Sequence, residues 1–459
     1  MDKHQTCLSE EILECCLQEI ANGYNKDMEQ TAIKNHYRKA IRIEHAVLFC
    51  LSILIFVLPI AHTATIRSFA LFMPVALIAV RYYIAKDFRW IKTSFELPLF
   101  LFFIVAIASL PTSVDFHESL DQIWGELLTP ILLFYTTYFA IRKETDELLL
   151  IRTLFLGSFI FSLFSFYAFY KHGGTWFSVA YKAGGLRDPG GGEVAALYHT
   201  MVIPFLFWGL FYLKNNWHRF VLSVLLLINL LALHITFVRA AMLAMGLQTV
   251  LAIGLLLFQK RWLWSFIITG VFILVSFVYI ENKMFREMHT HKIPSLKEYI
   301  ALTPEEIAGP SPTSMEQRLA MWKSAAEKIS ENPFYPHGYG RFLFGKTVRT
   351  DKNKHFTYPQ THNTFIGIAF ELGIQGLIIF LWMIGTFLWV CWNYWRNAMD
   401  DRTSYMSASL LTMMVGYWVN NFFGSFDGDD SKLLFMMLLG IGMAVMHRIP
   451  KERELSNLR

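Results

Sequence analysis

The chain has 459 residues, of which 54% are hydrophobic and 17% charged, with a formal net charge of +5. Its apolar residues fall in runs of about 17–22, long enough to cross a ~30 Å hydrocarbon core as helix, which excludes an ordinary soluble domain. The modest positive charge fits loops at an anionic leaflet rather than nucleic-acid binding, and none of the five cysteines lies in the polar stretch 282–362, so no disulfide framework or thiolate cluster is expected.

The first 43 residues read as a cytoplasmic extension. Within it Leu8, Ile12, Leu13, Cys16, Leu17 and Ile20 recur at helical spacing, as in a short amphipathic helix that is either free in the cytoplasm or bound to a partner. No cleavable signal peptide is expected, because the first long apolar run begins near His45. Membrane helices are then predicted at about 44–62, 66–84, 95–111, 124–141, 152–170, 194–212, 219–237, 240–259, 263–281, 363–391, 404–422 and 431–448. The expected fold is therefore all-α: a polytopic inner-membrane protein with about twelve transmembrane helices and a partly helical large periplasmic loop. Its parts are an extension over 1–43, nine helices over 44–281, the loop domain over 282–362, three helices over 363–448 and a cytoplasmic tail over 449–459. The run 363–391 is too long for one level crossing, so it tilts or projects from the bilayer.

Basic residues fix the expected orientation. With the amino terminus inside, the inner segments hold Lys34, Arg38, Lys39 and Arg42, then Arg81 and Lys86, Arg142 and Lys143, Lys260 and Arg261, and finally Arg448, Lys451 and Arg453. The short outer segments hold Arg67, Lys171, Lys182, Arg187, Arg239 and Lys432. This asymmetry favours both termini in the cytoplasm.

Two outer segments stand out. The first, near 171–193, contains AGGLRDPGGGE. The second, near 282–362, mixes prolines, glycines and both charge signs, and part of it has a helical pattern. Ser314 with Gln317 matches a capping box, and Met315, Leu319, Trp322, Ala326 and Ile329 follow at the spacing of one apolar face. That helix is expected to lie across the membrane domain or on other loop elements. No phosphate loop and no dinucleotide fingerprint is present, so cytoplasmic nucleotide energy is not indicated.

The candidates for chemistry share the outer side. Arg187 lies among glycines that admit close backbone approach, and its guanidinium suits phosphate oxygens; its alternative role is contact with lipid headgroups. Arg239 opens an apolar run, where it either snorkels to the interface or serves an outer-leaflet phosphate site. Arg318 borders the apolar face of its helix, placed either to reach the membrane domain or to pair with Glu316 or Glu327. His362 opens the sequence HNTF at the start of a helix, where a neutral imidazole can take a proton from a hydroxyl nucleophile. A first-turn position disfavours the imidazolium, and the alternative role is a cap or headgroup contact. Asn363 is placed to orient that ring or a substrate hydroxyl. Glu371 reads as a helix or cavity residue, and Asp427, Asp429 and Asp430 as a solvated loop. His289, His291 and His355 form no convincing ligand set, so neither metal nor cofactor is expected.

Strong phosphate donors and one candidate base on one side suit a lipid-linked diphosphate with an electrophilic sugar carbon. The sequence here resembles the bacterial O-antigen ligase and polymerase superfamily, most closely its ligase branch. Arg318, Trp322, Pro333, Gly338 and Gly340 match its arginine-tryptophan and proline-glycine pattern, His362 and Asn363 its histidine-asparagine pair, and Glu371, Gly373 and Gly376 the helix that follows. Arg187 and Arg239 stand where the family has an outer-loop arginine and a helix-opening arginine. Val238 and Glu193 depart from the common pattern, where relatives carry a serine and an asparagine-proline-like turn.

The resemblance implies an inverting glycan transferase that works at the periplasmic leaflet without a metal. Its donor would be an undecaprenyl-diphosphate-linked glycan and its acceptor a lipid A–core sugar hydroxyl, with inner-membrane lipids around it. His362, Arg187 and Arg239 would be catalytic, and Arg318, Asn363, Trp322 and Glu371 substrate-binding. A polymerase that uses a second lipid-linked glycan as acceptor, a glycan transferase to protein, and a transporter of lipid-linked substrate remain the alternatives.

Overall fold

A computed structural model describes residues 39–60, 63–86, 93–174, 192–274, 314–350, 360–398, 400–424 and 429–448. The amphipathic pattern in the extension, Arg187, His289, His291, His355 and Asp427 lie outside these residues. The described chain is helical: α1 (Lys39–Val57), α2 (Ala64–Ala85), α3 (Glu96–Ala108), α4 (Phe116–Gln122), α5 (Thr129–Ala140), α6 (Glu144–Lys171), α7 (Gly192–Tyr212), α8 (Asn216–His234), α9 (Arg239–Phe258), α10 (Trp262–Leu274), α11 (Ser314–Glu331), α12 (Leu343–Thr350), α13 (Thr364–Arg396), α14 (Asp401–Phe422) and α15 (Asp429–Met443). A π-helical turn, Ile123–Leu128, joins α4 to α5. A helix stands at each expected apolar run. Among the described residues seven, α1, α2, α6, α7, α8, α9 and α13, are long and apolar enough to cross a membrane. Helix is the natural state of such runs, because hydrocarbon offers no partner for an unbonded peptide group. The chain is thus a multi-pass, all-α membrane protein.

The bundle is built around α14 and α15, which are buried on most faces. Helix α14 packs against α7, α9 and α13, and α15 packs against α5. Gln248 of α9 ties three of these helices together: its Nε2 donates to Thr200 O of α7 and to Thr412 O of α14, each at 3.0 Å. On the flanks Phe49, Phe69, Phe100, Phe220, Leu263 and Phe266 are exposed, as side chains that meet acyl chains are.

The two ends differ. At one end the charged side chains pair across helix termini. Glu44 accepts Arg81 at 2.8 Å and Arg142 at 3.1 Å, and Arg402 meets Glu144 at 3.0 Å and also Glu147. The other end carries a cap made of α4, α11, α12 and the beginning of α13. Lys346 of α12 bonds Asp115 at 2.7 Å and also Glu118, and it holds the Asp115 carboxyl below its usual range. Val114 N donates to His337 O at 3.0 Å, so the segment after α3 is stitched to the segment after α11.

Helix α13 explains how the cap meets the bundle. Its 33 residues would make about 50 Å of straight helix against a ~30 Å hydrocarbon core. The helix is broken along its length: Gly373 has φ 72° and ψ 177°, a conformation open to glycine. The part before it, from Thr364, belongs to the cap; the part from Ile374 to Arg396 is long enough to cross. The break frees main-chain groups, and the segment after α11 takes them. Ile374 N donates to Pro333 O at 2.9 Å, and His337 N and Gly338 N donate to Glu371 O at 3.0 and 3.1 Å. His337 Nδ1 donates to Phe370 O at 2.9 Å while its ring stacks on Phe370 with centroids 4.2 Å apart. Burial pushes the His337 imidazole below its usual value, which suits a neutral ring in this seat.

The buried face of α11 differs from the expected stripe. Met321 and Ala325 are buried with Phe344 of α12 and Phe370 of α13, and Ile329 packs at the edge. Leu319 and Ala326 are exposed, and Trp322 is half-buried. The stripe is turned because α11 is clamped between two cap helices, so position relative to α12 and α13 decides which residues are covered. Ser314 starts the helix, but its side chain lies outside the described residues.

Candidate active site

His362 stands just before α13, two residues ahead of its first turn and next to the N-cap. Asn363 is the N-cap: its Oδ1 accepts from Phe365 N and Ile366 N at 3.0 Å each, and the residue is 1% exposed. His362 itself has φ 48°, a left-handed conformation that costs a non-glycine residue roughly 1–2 kcal/mol. The backbone on either side holds it there. Thr361 Oγ1 donates to Asn363 O at 3.0 Å, and Trp322 Nε1 of α11 donates to Thr361 O at 3.0 Å. Trp322 also meets the ring of Phe422 at the end of α14, with centroids 6.0 Å apart. The His362 turn is therefore fixed to α11, α13 and α14 at once.

These contacts give Trp322, Asn363 and Glu371 structural tasks in addition to the substrate binding expected from sequence. Glu371 is 8% exposed and its Oε2 accepts from Gly340 N at 2.9 Å, which pins the segment after α11 against α13. Trp322 and Asn363 hold the turn that carries His362, and Glu371 holds the neighbouring segment. Replacing Trp322 with phenylalanine keeps the ring and removes the bond to Thr361 O, at a cost of about 1 kcal/mol. We expect a several-fold loss of turnover at unchanged donor affinity, measured by steady-state kinetics.

The arginines reach the same end by a neighbouring route. Arg318 pairs with Glu193, at the start of α7, at 4.0 Å, while the side chain of Glu316 lies outside the described residues. The pair is loose and Glu193 is 70% exposed, so Arg318 keeps much of its charge for a ligand. Arg239 is exposed at the start of α9, and among the described residues no carboxylate pairs with it. Phe237, two residues earlier, has φ 52° and turns the chain sharply between α8 and α9. Ala241 of α9 packs with Ala196 of α7, close in sequence to Glu193. The start of α7 thus lies between Arg239 and Arg318, and it directly follows the segment 175–191 that contains Arg187. Of the residues expected from sequence, the structure joins Arg318, Trp322, Asn363, Glu371 and His362 through cap contacts and brings Arg239 to the same end through α7.

Sequence reading missed a charged group beneath this site. Lys432, counted as an outer-loop charge, is 2% exposed and bonds Glu126 of the π-helical turn at 3.0 Å. Arg341 of the cap approaches the same carboxylate at 3.5 Å. Tyr339 lies beside them, and burial, with Glu126 and Glu371 nearby, pushes its phenol well above the usual value. A single glutamate inside the run IWGELL carries no motif that signals such a role.

A cavity of about 30 Å³ opens among these groups, lined by Glu126, Arg341, Gln360, Thr364, Gly367 and Glu371. It has room for water and not for a sugar. No curated protein matches the chain. Residues 224–381, which contain Arg239, Arg318, His362, Asn363 and Glu371, match the family model described as O-Antigen ligase. That segment, about a third of the chain, is similar to the O-antigen ligase family.

Proposed function

We propose that the chain transfers a glycan from undecaprenyl diphosphate to a sugar hydroxyl of lipid A–core, at the end of the bundle that bears the cap. That end faces the periplasm in this reading, with the paired charges of Arg81, Arg142 and Arg402 on the cytoplasmic side. The observation that carries the reading is the coincidence of the family-matched segment with the strained, firmly held His362 turn.

Arg187 and Arg239 grip the diphosphate, and Arg318 assists. The acceptor oxygen attacks the anomeric carbon from the face opposite the diphosphate and forms the new glycosidic bond. The bond from that carbon to the phosphate oxygen breaks, and undecaprenyl diphosphate leaves with one added negative charge. Guanidinium groups, rather than a metal, stabilise that charge. His362 takes the proton of the acceptor hydroxyl, and the product is inverted at the anomeric centre.

Two acceptors in competition test the reading. Purified protein in vesicles receives the lipid-diphosphate glycan with lipid A–core and a second lipid-linked glycan together. Glycosylated lipid A–core is the expected product; an elongated lipid-linked chain would make the protein a polymerase. Arg239→Lys keeps the charge but loses the planar donor fork. We expect about tenfold weaker donor use, read as kcat/KM for the donor, and an unchanged value would remove Arg239 from the diphosphate grip.

A further inference from the structure

We propose that Glu126 is a positioning residue for this transfer, holding the His362 turn in place from below. The proposal rests on the functional reading above.

The local chain makes Glu126 available. Pro130 has no N–H to give to the carbonyl four residues back, which is Glu126 O. The chain passes this point as a π-helical turn, Ile123–Leu128, a distortion that often marks functional sites. Lys432 Nζ of α15 occupies the opening: it lies 3.3 Å from Glu126 O and 3.0 Å from Glu126 Oε2. The other carboxylate oxygen faces the cap, where Arg341 Nη2 approaches Oε1 at 3.5 Å. One glutamate, 11% exposed at its side chain, thus joins a bundle cation to a cap cation.

Arg341 follows Gly340, whose N–H is held by Glu371 at 2.9 Å. The short run from Tyr339 to Arg341 is therefore tied twice, to α13 by Glu371 and to the π-helical turn by Glu126. Gln360, Thr361 and Thr364, which flank His362, line the same small cavity as these carboxylates. Gln360 Oε1 and Thr364 Oγ1 are buried and meet no partner among the described residues, so the cavity wall on the His362 side is polar and suited to water bridges toward the carboxylates. Movement of Arg341 off Glu126 opens that wall. An imidazole displaced by an ångström from the attacking hydroxyl loses much of its rate effect.

Two variants separate positioning from mere charge balance. Arg341→Met leaves the Glu126–Lys432 pair intact and removes the tie from Glu126 to the cap. Glu126→Gln with Lys432→Met removes the buried charges together and the same tie. In both we expect faster amide hydrogen exchange over 337–346 and 360–366. We also expect kcat lower by about tenfold with an unchanged donor KM. Glu126→Gln alone is expected to melt earlier, because it removes the carboxylate from a buried ion pair with Lys432. Wild-type exchange and wild-type kcat in Arg341→Met would overturn the proposal and leave Glu126 as the counter-ion of Lys432. The exchange measurement needs no substrate. If wild-type protein transfers glycan to neither acceptor, the functional reading fails, while exchange still decides whether Glu126 holds the turn.

Discussion

His362→Ala is expected to transfer glycan at least about 100-fold more slowly than the wild-type protein, the scale of a lost general base. The size of the effect follows from how the residue is held. Its φ of 48° is maintained by the Asn363 cap on one side and by the Trp322 bond to Thr361 O on the other. A chain under such local strain with no task for the side chain would gain by relaxing it. Alanine removes the imidazole and leaves these backbone anchors in place, so the variant should fold, insert and bind donor as before. Donor binding is the control, because the diphosphate grip is assigned to arginines on other elements. Steady-state transfer, with melting temperature and donor affinity measured on the same preparation, checks the prediction. Wild-type turnover would remove the base assignment.

The second large effect is expected at Gly338, and on stability rather than on a chemical step. Gly338 has φ 101°, and a Cβ there would stand 2.2 Å from Ser113 Oγ and 2.5 Å from Ser119 Oγ. Those two hydroxyls are themselves 2.6 Å apart, so neither moves without breaking their bond. Gly338→Ala therefore combines a disfavoured backbone with overpacking, for a total of about 2–4 kcal/mol. The loss should be local. The 337–340 segment that fills the α13 break would detach, and the His362 turn would lose support through Glu371. Limited proteolysis should cut the variant between 331 and 343 while the membrane bundle stays intact. An alanine variant with wild-type resistance and activity would show that the seat of Gly338 is not needed.

Much of this arrangement can be read from the chain before folding, because hydrocarbon imposes simple lengths on apolar runs. Helices appear at all the predicted runs, and the long span near 363–391 announces itself as too long for one crossing. The position of the break does not. Gly373 sits inside FELGIQGL, where a glycine is tolerated in a membrane helix, and it becomes a break only because Pro333, His337 and Gly338 arrive to take the freed groups. The capping bonds of Asn363 follow from its place before an apolar helical run. The face of α11 was misjudged because Met321 and Ala325 are selected by α12 and α13, which its own periodicity does not contain. Glu126 and Lys432 lie about 300 residues apart, and nothing local links them.

The family resemblance and the geometry divide the matched residues in a useful way. Pro333, Gly338, Gly340, Glu371 and Gly373 build the joint between cap and bundle. Asn363 and Trp322 aim the turn on that joint. His362, Arg239 and Arg318 are the residues proposed to act on a ligand, with Glu193 only loosely on Arg318. A motif that mixes these tasks would look uniformly catalytic in sequence, whereas its members should separate in kinetics. Changes at the joint should lower turnover and stability together, and changes at the arginines should act on donor use.

A structure of the protein with a non-transferable lipid-diphosphate glycan tests the central claim most directly. The account predicts the diphosphate beside the guanidinium groups of Arg239 and Arg187 at the cap end, with the anomeric carbon turned toward His362. A diphosphate bound at the end that carries Arg402, or an anomeric carbon out of reach of the His362 ring across the acceptor site, would contradict it.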